Sequence, residues 1–321
     1  MDTPLVTVIL LTFNHINTFE KAINSVLEQK TNFPFQIVVY DDASTDGTSE
    51  IVKKYTDIPN VKTVIREENA HGKNLYLALK DVNTKYYAIL ETDDYWCDEN
   101  KLQTQVDILE NNLDCSFCAH NTLVNYVKTN KTKEYITVPT KKFTFPPKKI
   151  TKSYYIEPHT SSRLYRTECL NLDEIKNPII ATYDIAVNFY FFTKGSLYYI
   201  DKVMSVYNYT AKGVYSGLSS FEQRYKSASV IYQINDEFDY KYNSLLSRFF
   251  STRLNLNFII YLILKFSKNK SFLKSYYQKI LDTYKKRYLG DWFAKPVAKI
   301  NIPLSKHKRL VFECRTERER S

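Results

Sequence analysis

The chain has 321 residues, 44% of them hydrophobic, with only 6 Gly and 10 Pro, which allows a full core in one or two domains and excludes a disordered or low-complexity protein. Its net charge of +10 is unevenly placed: residues 241–321 hold 19 Lys and Arg against 5 Asp and Glu, whereas residues 1–240 hold 26 against 30. That balance excludes a uniformly basic nucleic-acid binder and describes an acidic domain followed by a basic region. No run of 18 or more apolar residues occurs, so no spanning helix is expected. Met1-Asp2-Thr3-Pro4 lacks the basic-then-apolar signature of a secretory leader. The five cysteines, Cys97, Cys115, Cys118, Cys169 and Cys314, are odd in number and scattered, as fits a reducing cytosol. Cys115 and Cys118 have CxxC spacing with His120 nearby, but no second pair completes a zinc site, and buried strand thiols are expected.

In chain order, Leu5–Leu11 is a β-branched, near-continuous apolar run, which predicts a strand covered on both faces. Helical spacing follows through Phe19, Ile23, Val26 and Leu27. Phe35–Tyr40 predicts a second buried strand, and Ala43–Thr48 a turn leading into a helix over 48–56. Val61–Ile65 predicts a third strand, Lys73–Val82 a helix and Tyr86–Glu91 a fourth strand. A helix over Asn100–Asn111 and a strand over Cys115–Asn125 come next. Residues 127–155, rich in Lys, Thr and Pro, look like an excursion from the core. An apolar helix opens near Asp184 and is expected to end at Lys194-Gly195 with a C-cap glycine. Leu197–Ile200 and Val203–Tyr209 predict a final strand pair. From Phe221 the pattern is helical to the C-terminus, with breaks near Lys268–Lys270, Gly290 and Pro296.

Strand–helix alternation of this kind means βαβ units on a largely parallel α/β sheet, with ligands beyond the carboxyl ends of the strands. Three polar clusters fall at those ends: Thr12–His15, Asp41-Asp42 and Glu91-Thr92-Asp93-Asp94. Side-by-side carboxylates repel one another and lose hydration when buried, and a divalent cation resolves that conflict. An acidic loop with a helix N-cap is the plainer reading of the last cluster.

Four pieces, in order, resemble an inverting nucleotide-sugar glycosyltransferase of family 2. Val8–Asn14 resembles the opening strand that ends in T-F/Y-N, and Val38–Thr48 resembles the V-x-D-D-x-S-x-D-x-S/T segment. Glu91–Trp96, followed by Lys101-Leu102-Gln103, is similar to the acidic region of a bacterial subgroup carrying E-x-D-D-Y-W. Tyr183-Asp184 resembles that subgroup's G-D segment, and Val203–Tyr207 and Gly213–Gly217 match as well.

The resemblance covers about residues 5–220 and implies a GT-A fold, with a catalytic domain over 1–220 (nucleotide-binding half 1–98, acceptor half 99–220) and a basic helical region over 221–321. It implies that Asp42, with Asp41 beside it, contacts the base and ribose of a uridine-type donor, in a pocket including Thr12, Asn14, Lys73, Glu91 and Thr92. Asp93 would bind Mg2+ or Mn2+, supported by Asp94. Glu91 departs from the commoner Asp, leaving open whether it touches metal, ribose or neither. Asp184 would be the catalytic base, with a helix N-cap as its plain alternative, and Tyr183 replaces the usual small residue before it. Trp96, His159 and Lys212 would line the donor and acceptor pocket, although Trp96 and His159 read equally well as structural residues.

The implied activity is transfer from a nucleotide-sugar, UDP-linked by expectation, to a hydroxyl of a glycan or lipid-linked acceptor in bacterial surface polysaccharide synthesis. The basic, apolar residues 241–321 suggest a peripheral seat on the cytoplasmic face of the inner membrane or, equally, a helical subdomain packing on the core or on a second copy in a homodimer. A nucleotidyltransferase would need a Gly-rich phosphate loop after the first strand, which Thr12-Phe13-Asn14-His15 does not supply. A non-catalytic basic binding module would leave the acidic clusters without purpose.

Overall fold

A computed structural model describes residues 3–70, 72–136, 138–144, 157–210, 217–289, 300–304 and 308–312. The chain divides into two compact units, Met1–Gly217 and Leu218–Ser321. The first is an α/β unit. Strands β1 (Val6–Thr12), β2 (Phe35–Asp41), β3 (Val61–Ile65) and β4 (Tyr86–Glu91) alternate with helices α1 (Phe19–Leu27), α2 (Thr48–Lys53) and α3 (Asn74–Leu79). Then follow β5 (Tyr95–Trp96), α4 (Lys101–Glu110), β6 (Cys115–Tyr126), β7 (Lys131–Glu134), β8 (Lys141–Phe143), β9 (Arg163–Arg166), α5 (Asp184–Lys194) and β10 (Ser196–Tyr209).

These strands form one sheet in the order β3-β2-β1-β4-β9-β6-β10-β5, with β7 added to β6 and β8 to β10. The β1–β2, β2–β3, β1–β4 and β6–β10 pairings are parallel, and β9 runs antiparallel between β4 and β6. Val6, Val8 and Leu10 pack with Ile37, Val39, Ala88 and Leu90 under Phe19, Ile23 and Val26 of α1 and Leu102, Val106 and Leu109 of α4. Ile9, Tyr40, Tyr87 and Ile89, on the opposite face, are buried too, which is why these strands read as unbroken apolar runs. Strand order reverses direction at β1, between β2 and β4, so the crevice above the carboxyl end of β1 is the topological switch point.

Helices α2 and α3 are shorter than their patterns predict. Beyond Lys53 and Leu79 the chain closes i→i+3 bonds, as in Tyr55 N to Val52 O and Val82 N to Leu79 O, which tighten it out of the α-helix. The predicted strand pair at 197–209 is instead the single strand β10, parallel to β6, with register shifts around Ile200–Ser205. Lys202, in the irregular stretch that looked like a turn, pairs with Asp98 at 2.5 Å. Within 127–155, the exposed β7 and the short β8 extend the sheet, and Phe143 of β8 is buried. Residues 145–156 lie outside the described residues. Cys115 and Cys118 are buried strand thiols, and burial pushes both thiols up, that of Cys115 to about 11.

The second unit holds helices α6 (Ser220–Glu237), α7 (Asn243–Arg253), α8 (Phe258–Phe266) and α9 (Lys270–Leu289). A capping box starts α6: the Ser219 hydroxyl accepts from Glu222 N while the Glu222 carboxylate accepts from Ser219 N. The core of this unit contains a polar link in which Asn243 Oδ1 accepts from Asn235 Nδ2 at 2.8 Å and Tyr277 OH at 2.9 Å. No described helix is long and apolar enough to cross a membrane. The helical pattern does not run to the end: β11 (Ile300–Leu304) and β12 (Lys308–Phe312) form an antiparallel pair. Alternation in Ile300-Asn301-Ile302 is a period-two signal that the helical reading overlooked. The breaks expected at Gly290 and Pro296 lie outside the described residues.

Gly195 also differs from expectation. It has φ 179°, extended rather than left-handed, and a Cβ there would come within 2.8 Å of Ser116 N and 2.9 Å of Asp114 O. Glycine is needed because two backbones touch. Gly195→Ala is expected to cost about 1–3 kcal/mol of stability through overpacking, measurable by denaturant unfolding; an unchanged midpoint would disprove the close-contact account.

Candidate active site

The loop beyond β2 is knitted to the end of β1 by its own polar side chains. Asn14, at φ 57°, donates its N–H to Ser44 Oγ at 2.8 Å, and its Oδ1 accepts from Thr45 N at 2.8 Å. Ala43 holds φ 63°, a left-handed conformation that costs an alanine roughly 1–2 kcal/mol. Asp41 is fully buried: Oδ1 accepts from the Ser44 N–H and hydroxyl, and Oδ2 from the Ser49 hydroxyl. Asp46 does similar work, accepting from Ile16 N and Thr48 N, each at 3.0 Å. Asp42 binds the next loop, its Oδ1 accepting from Ala70 N at 2.7 Å with Arg66 Nε 4.0 Å away. Thr12 is buried beneath this loop, its carbonyl accepting from Asp42 N.

Beyond β4 the chain makes a tight turn, closed by Asp94 N donating to Glu91 O at 3.0 Å, and re-enters the sheet as β5. Thr92 is buried, with its N–H on Leu11 O and its hydroxyl 2.9 Å from His15 Nδ1. Asn208, near the end of β10, clamps the turn twice: its side-chain amide donates to Asp93 O at 2.7 Å and its backbone N–H to Asp94 Oδ1 at 2.9 Å. Sequence reasoning passed over Asn208, because nothing in a strand-like Tyr207-Asn208-Tyr209 marks the central residue as a partner of residues 114 and 115 positions earlier.

Asp93 Oδ1 and Asp94 Oδ2 are buried without hydrogen-bond partners. Burial and the neighbouring Asp93 charge push the Asp94 carboxyl well up. Glu91 is open to solvent, yet crowding by the chain, then the charges of Asp93 and Asp184, raises its carboxyl to about 8. His159 Nδ1 stands 3.8 Å from Asp94 Oδ2, with its ring stacked on Tyr207 at 4.4 Å. Burial holds the imidazole down at about 4, so at neutral pH it is uncharged and does not compensate Asp94. Two unpartnered carboxylate oxygens in a negative pocket suit a hard cation that takes its other ligands from phosphates. Among the described residues, no three His, Cys, Asp or Glu side chains are arranged to enclose an ion by themselves.

Asp184 opens α5 and is exposed. Tyr183, half-buried, occupies the N-cap position, and no side chain caps the helix, so Asp184 is not its N-cap. Its Oδ1 accepts from the Thr160 hydroxyl, and its backbone carbonyl accepts from Arg163 Nη1 at 3.2 Å. Arg163 is buried and also holds Pro158 O and Tyr165 OH. Phe191 of α5 packs on Tyr165 at 4.5 Å and Phe192 on Phe117 at 5.2 Å, which fixes the helix over the sheet. Asp184 thereby joins Glu91, Asp93 and Asp94 in one interacting set. Arg163, which holds the Asp184 carbonyl, has a role that the sequence did not single out.

Trp96 is enclosed by the chain. It is buried, donates Nε1–H to Ser161 O at 2.9 Å, and carries Lys101 Nζ 3.9 Å over its ring. Lys73 is exposed before α3, and Lys212 lies outside the described residues.

A mostly parallel sheet with an acidic turn near its switch point and a carboxylate at the start of α5 defines a doubly wound α/β protein. Residues 7–188 match the family described as Glycosyl transferase family 2, and the chain belongs to that family. An uncharacterized protein of Mycobacterium tuberculosis is 30% identical over 132 residues, 40% of this chain and 38% of its own. The putative teichuronic acid biosynthesis glycosyltransferase TuaG of Bacillus subtilis is 34% identical over 110 residues, 33% of this chain and 42% of its own. The match therefore spans about two fifths of the length of these relatives. S. aureus TarS in complex with UDP-GlcNAc superposes with TM-score 0.59 at 19% identity, covering 96% of this chain and 99% of that one. The mannosyltransferase PcManGT of Pyrobaculum calidifontis, in complex with GDP-Man and Mn2+, gives 0.54 at 14% identity, covering 90% and 88%. This likeness carries the fold, GT-A.

Buried Lys101, bonded to Gln105 Oε1 at 2.7 Å, is pushed down by burial from 10.5 to about 7. Between those values the unfolded chain binds a proton that the folded chain lacks, so Lys101 makes stability rise with pH through that window. Relative to Lys101→Met, the parent is expected to gain stability from pH 7 to 9, read by denaturant melts at each pH; parallel curves would place the ammonium in solvent.

Proposed function

We propose that this protein is a metal-dependent inverting glycosyltransferase that moves a sugar from a UDP-linked donor to a hydroxyl of a glycan or lipid-linked acceptor in bacterial surface polysaccharide assembly. The observation that carries this reading is the pair of buried, unpartnered oxygens of Asp93 and Asp94 on the turn beyond β4, grouped with Asp184. The E-x-D-D-Y-W stretch, and the names of TuaG and of TarS with UDP-GlcNAc, support the subgroup and the donor. The whole enzyme would sit peripherally on the cytoplasmic face of the inner membrane.

Asp42 is the donor-binding carboxylate, since its Oδ2 is left for base or ribose while Oδ1 holds Ala70 N. Asp41 acts behind it, its two oxygens committed to the loop. Thr12, Asn14 and Thr92 shape the same pocket from beneath, and Lys73 stands at its rim. Asp93 and Asp94 would hold Mg2+ or Mn2+, with Glu91 in reach; such an ion, when bound, neutralises the departing diphosphate. Asp184 receives the acceptor's proton on Oδ2 while Thr160 fixes Oδ1. The hydroxyl oxygen attacks the anomeric carbon as its bond to the diphosphate breaks, and this single displacement inverts configuration. Tyr183 and His159 border the acceptor approach.

UDP release, measured with a panel of donors with and without Mn2+, tests the reading. Asp93→Ala is expected to lose Mn2+-dependent donor binding. Asp184→Asn is expected to keep donor binding while turnover falls about 10²–10⁴-fold; full turnover in that variant would remove Asp184 as base. Thr160→Val should lower kcat with the donor KM unchanged, whereas a purely structural role would lower the melting temperature instead.

A further inference from the structure

Helix α8, Phe258-Ile259-Ile260-Tyr261-Leu262-Ile263-Leu264-Lys265-Phe266, is apolar on nearly all sides. A helix of that kind is ordinarily enclosed. Here Ile260 and Leu264 are buried, at 1% and 0% exposed, and α7 packs against α8. The opposite stripe is not covered: Ile259 is 44% exposed and Phe266 67% exposed, with Leu262 and Ile263 half-exposed between them. These four positions stand at i, i+3, i+4 and i+7, one continuous face. Phe272, 40% exposed in the first turn of α9, lies just beyond the short link that follows.

The surrounding charge decides the occupant. Residues 241–289 contain 11 Lys and Arg and a single acid, Asp282. Lys265 Nζ lies 5.2 Å from the Phe266 ring centroid, and Lys268 is exposed after the helix. Upstream, Asp236 on α6 and Asp239 just after it are engaged by Lys274 and Lys270. A second copy meeting this face through a twofold axis would bring two basic rims together. An anionic bilayer surface offers negative charge at the rim and hydrocarbon beneath it, and basic side chains with long stems can reach the first while their apolar neighbours enter the second.

We infer that the Ile259–Leu262–Ile263–Phe266 face of α8, rimmed by Lys265 and Lys268, is the surface by which this protein lies on an anionic lipid membrane. The inference deepens the peripheral placement proposed above and does not depend on the sugar-transfer reaction. With 9 residues, α8 enters the interface without spanning it.

The full-length chain is co-sedimented with phosphatidylglycerol-containing vesicles and with pure phosphatidylcholine vesicles at low and raised salt. Binding is expected to the first kind, weakened by salt. The doubly substituted Ile259→Ser, Phe266→Ser chain should bind at least about tenfold more weakly, and Lys265→Ala with Lys268→Ala should lose the preference for anionic vesicles. Both variants alter exposed or half-exposed positions and should melt as the parent does. UDP release from soluble donor, measured alongside, reports separately on the transferase reading. Failure of the parent to sediment with anionic vesicles, or equal binding by the serine variant, overturns the inference. So does a dimer on size exclusion that the serine variant alone abolishes, since the face would then belong to a second copy.

Discussion

Mutual repulsion among Glu91, Asp93, Asp94 and Asp184 is the constraint around which the first unit is arranged. The fold holds these groups together by tying down their backbone and not by cancelling their charge. Asn208 grips the turn from β10, Asp94 N closes it onto Glu91 O, and Thr92 N ties it to β1. His159, the base nearest Asp94, is kept neutral by burial. A pocket built in this way holds unfavourable electrostatic energy that a positive charge would relieve.

The two aspartates beyond β2 divide the labour differently from their appearance as a matched pair. Asp41 ends inside the protein because, on a strand, neighbouring side chains point to opposite faces. Its hydroxyl partners, Ser44 and Ser49, lie 3 and 8 positions further along the chain. The segment Asp41–Thr48 therefore encodes its own loop geometry, including the left-handed Ala43 and the bonds from Asn14. Asp42, by contrast, reaches the loop beyond β3 through one oxygen, with Oδ1 on Ala70 N.

Much of this was legible in the residues. Parallel strands covered on both faces leave unbroken apolar runs, so β1, β2, β3 and β4 could be placed closely, and the acidic cluster at the tip of β4 followed. What stayed hidden depended on distant contacts. Trp96 could be read either as a pocket residue or as a structural one, because nothing local says that its indole meets Ser161 O across the sheet. Arg163 gave no signal because it holds Asp184, 21 positions away. The bulge in β10 was taken for a turn, since Asp201-Lys202 has turn-like polarity and its parallel partner β6 lies far back in the sequence. Gly195 gave a true signal with the wrong cause.

The sheet has a further consequence for motion. Residues 1–98 and 99–217 are not separate lobes, because β9 inserts between β4 and β6 and makes one continuous hydrogen-bonded surface of both. Trp96 and Asn208 then rivet the seam, reaching Ser161 O and Asp93 O in turn. Such a frame has no hinge axis along which its two parts could close like jaws. Motion around Asp184 therefore falls to segments outside the sheet.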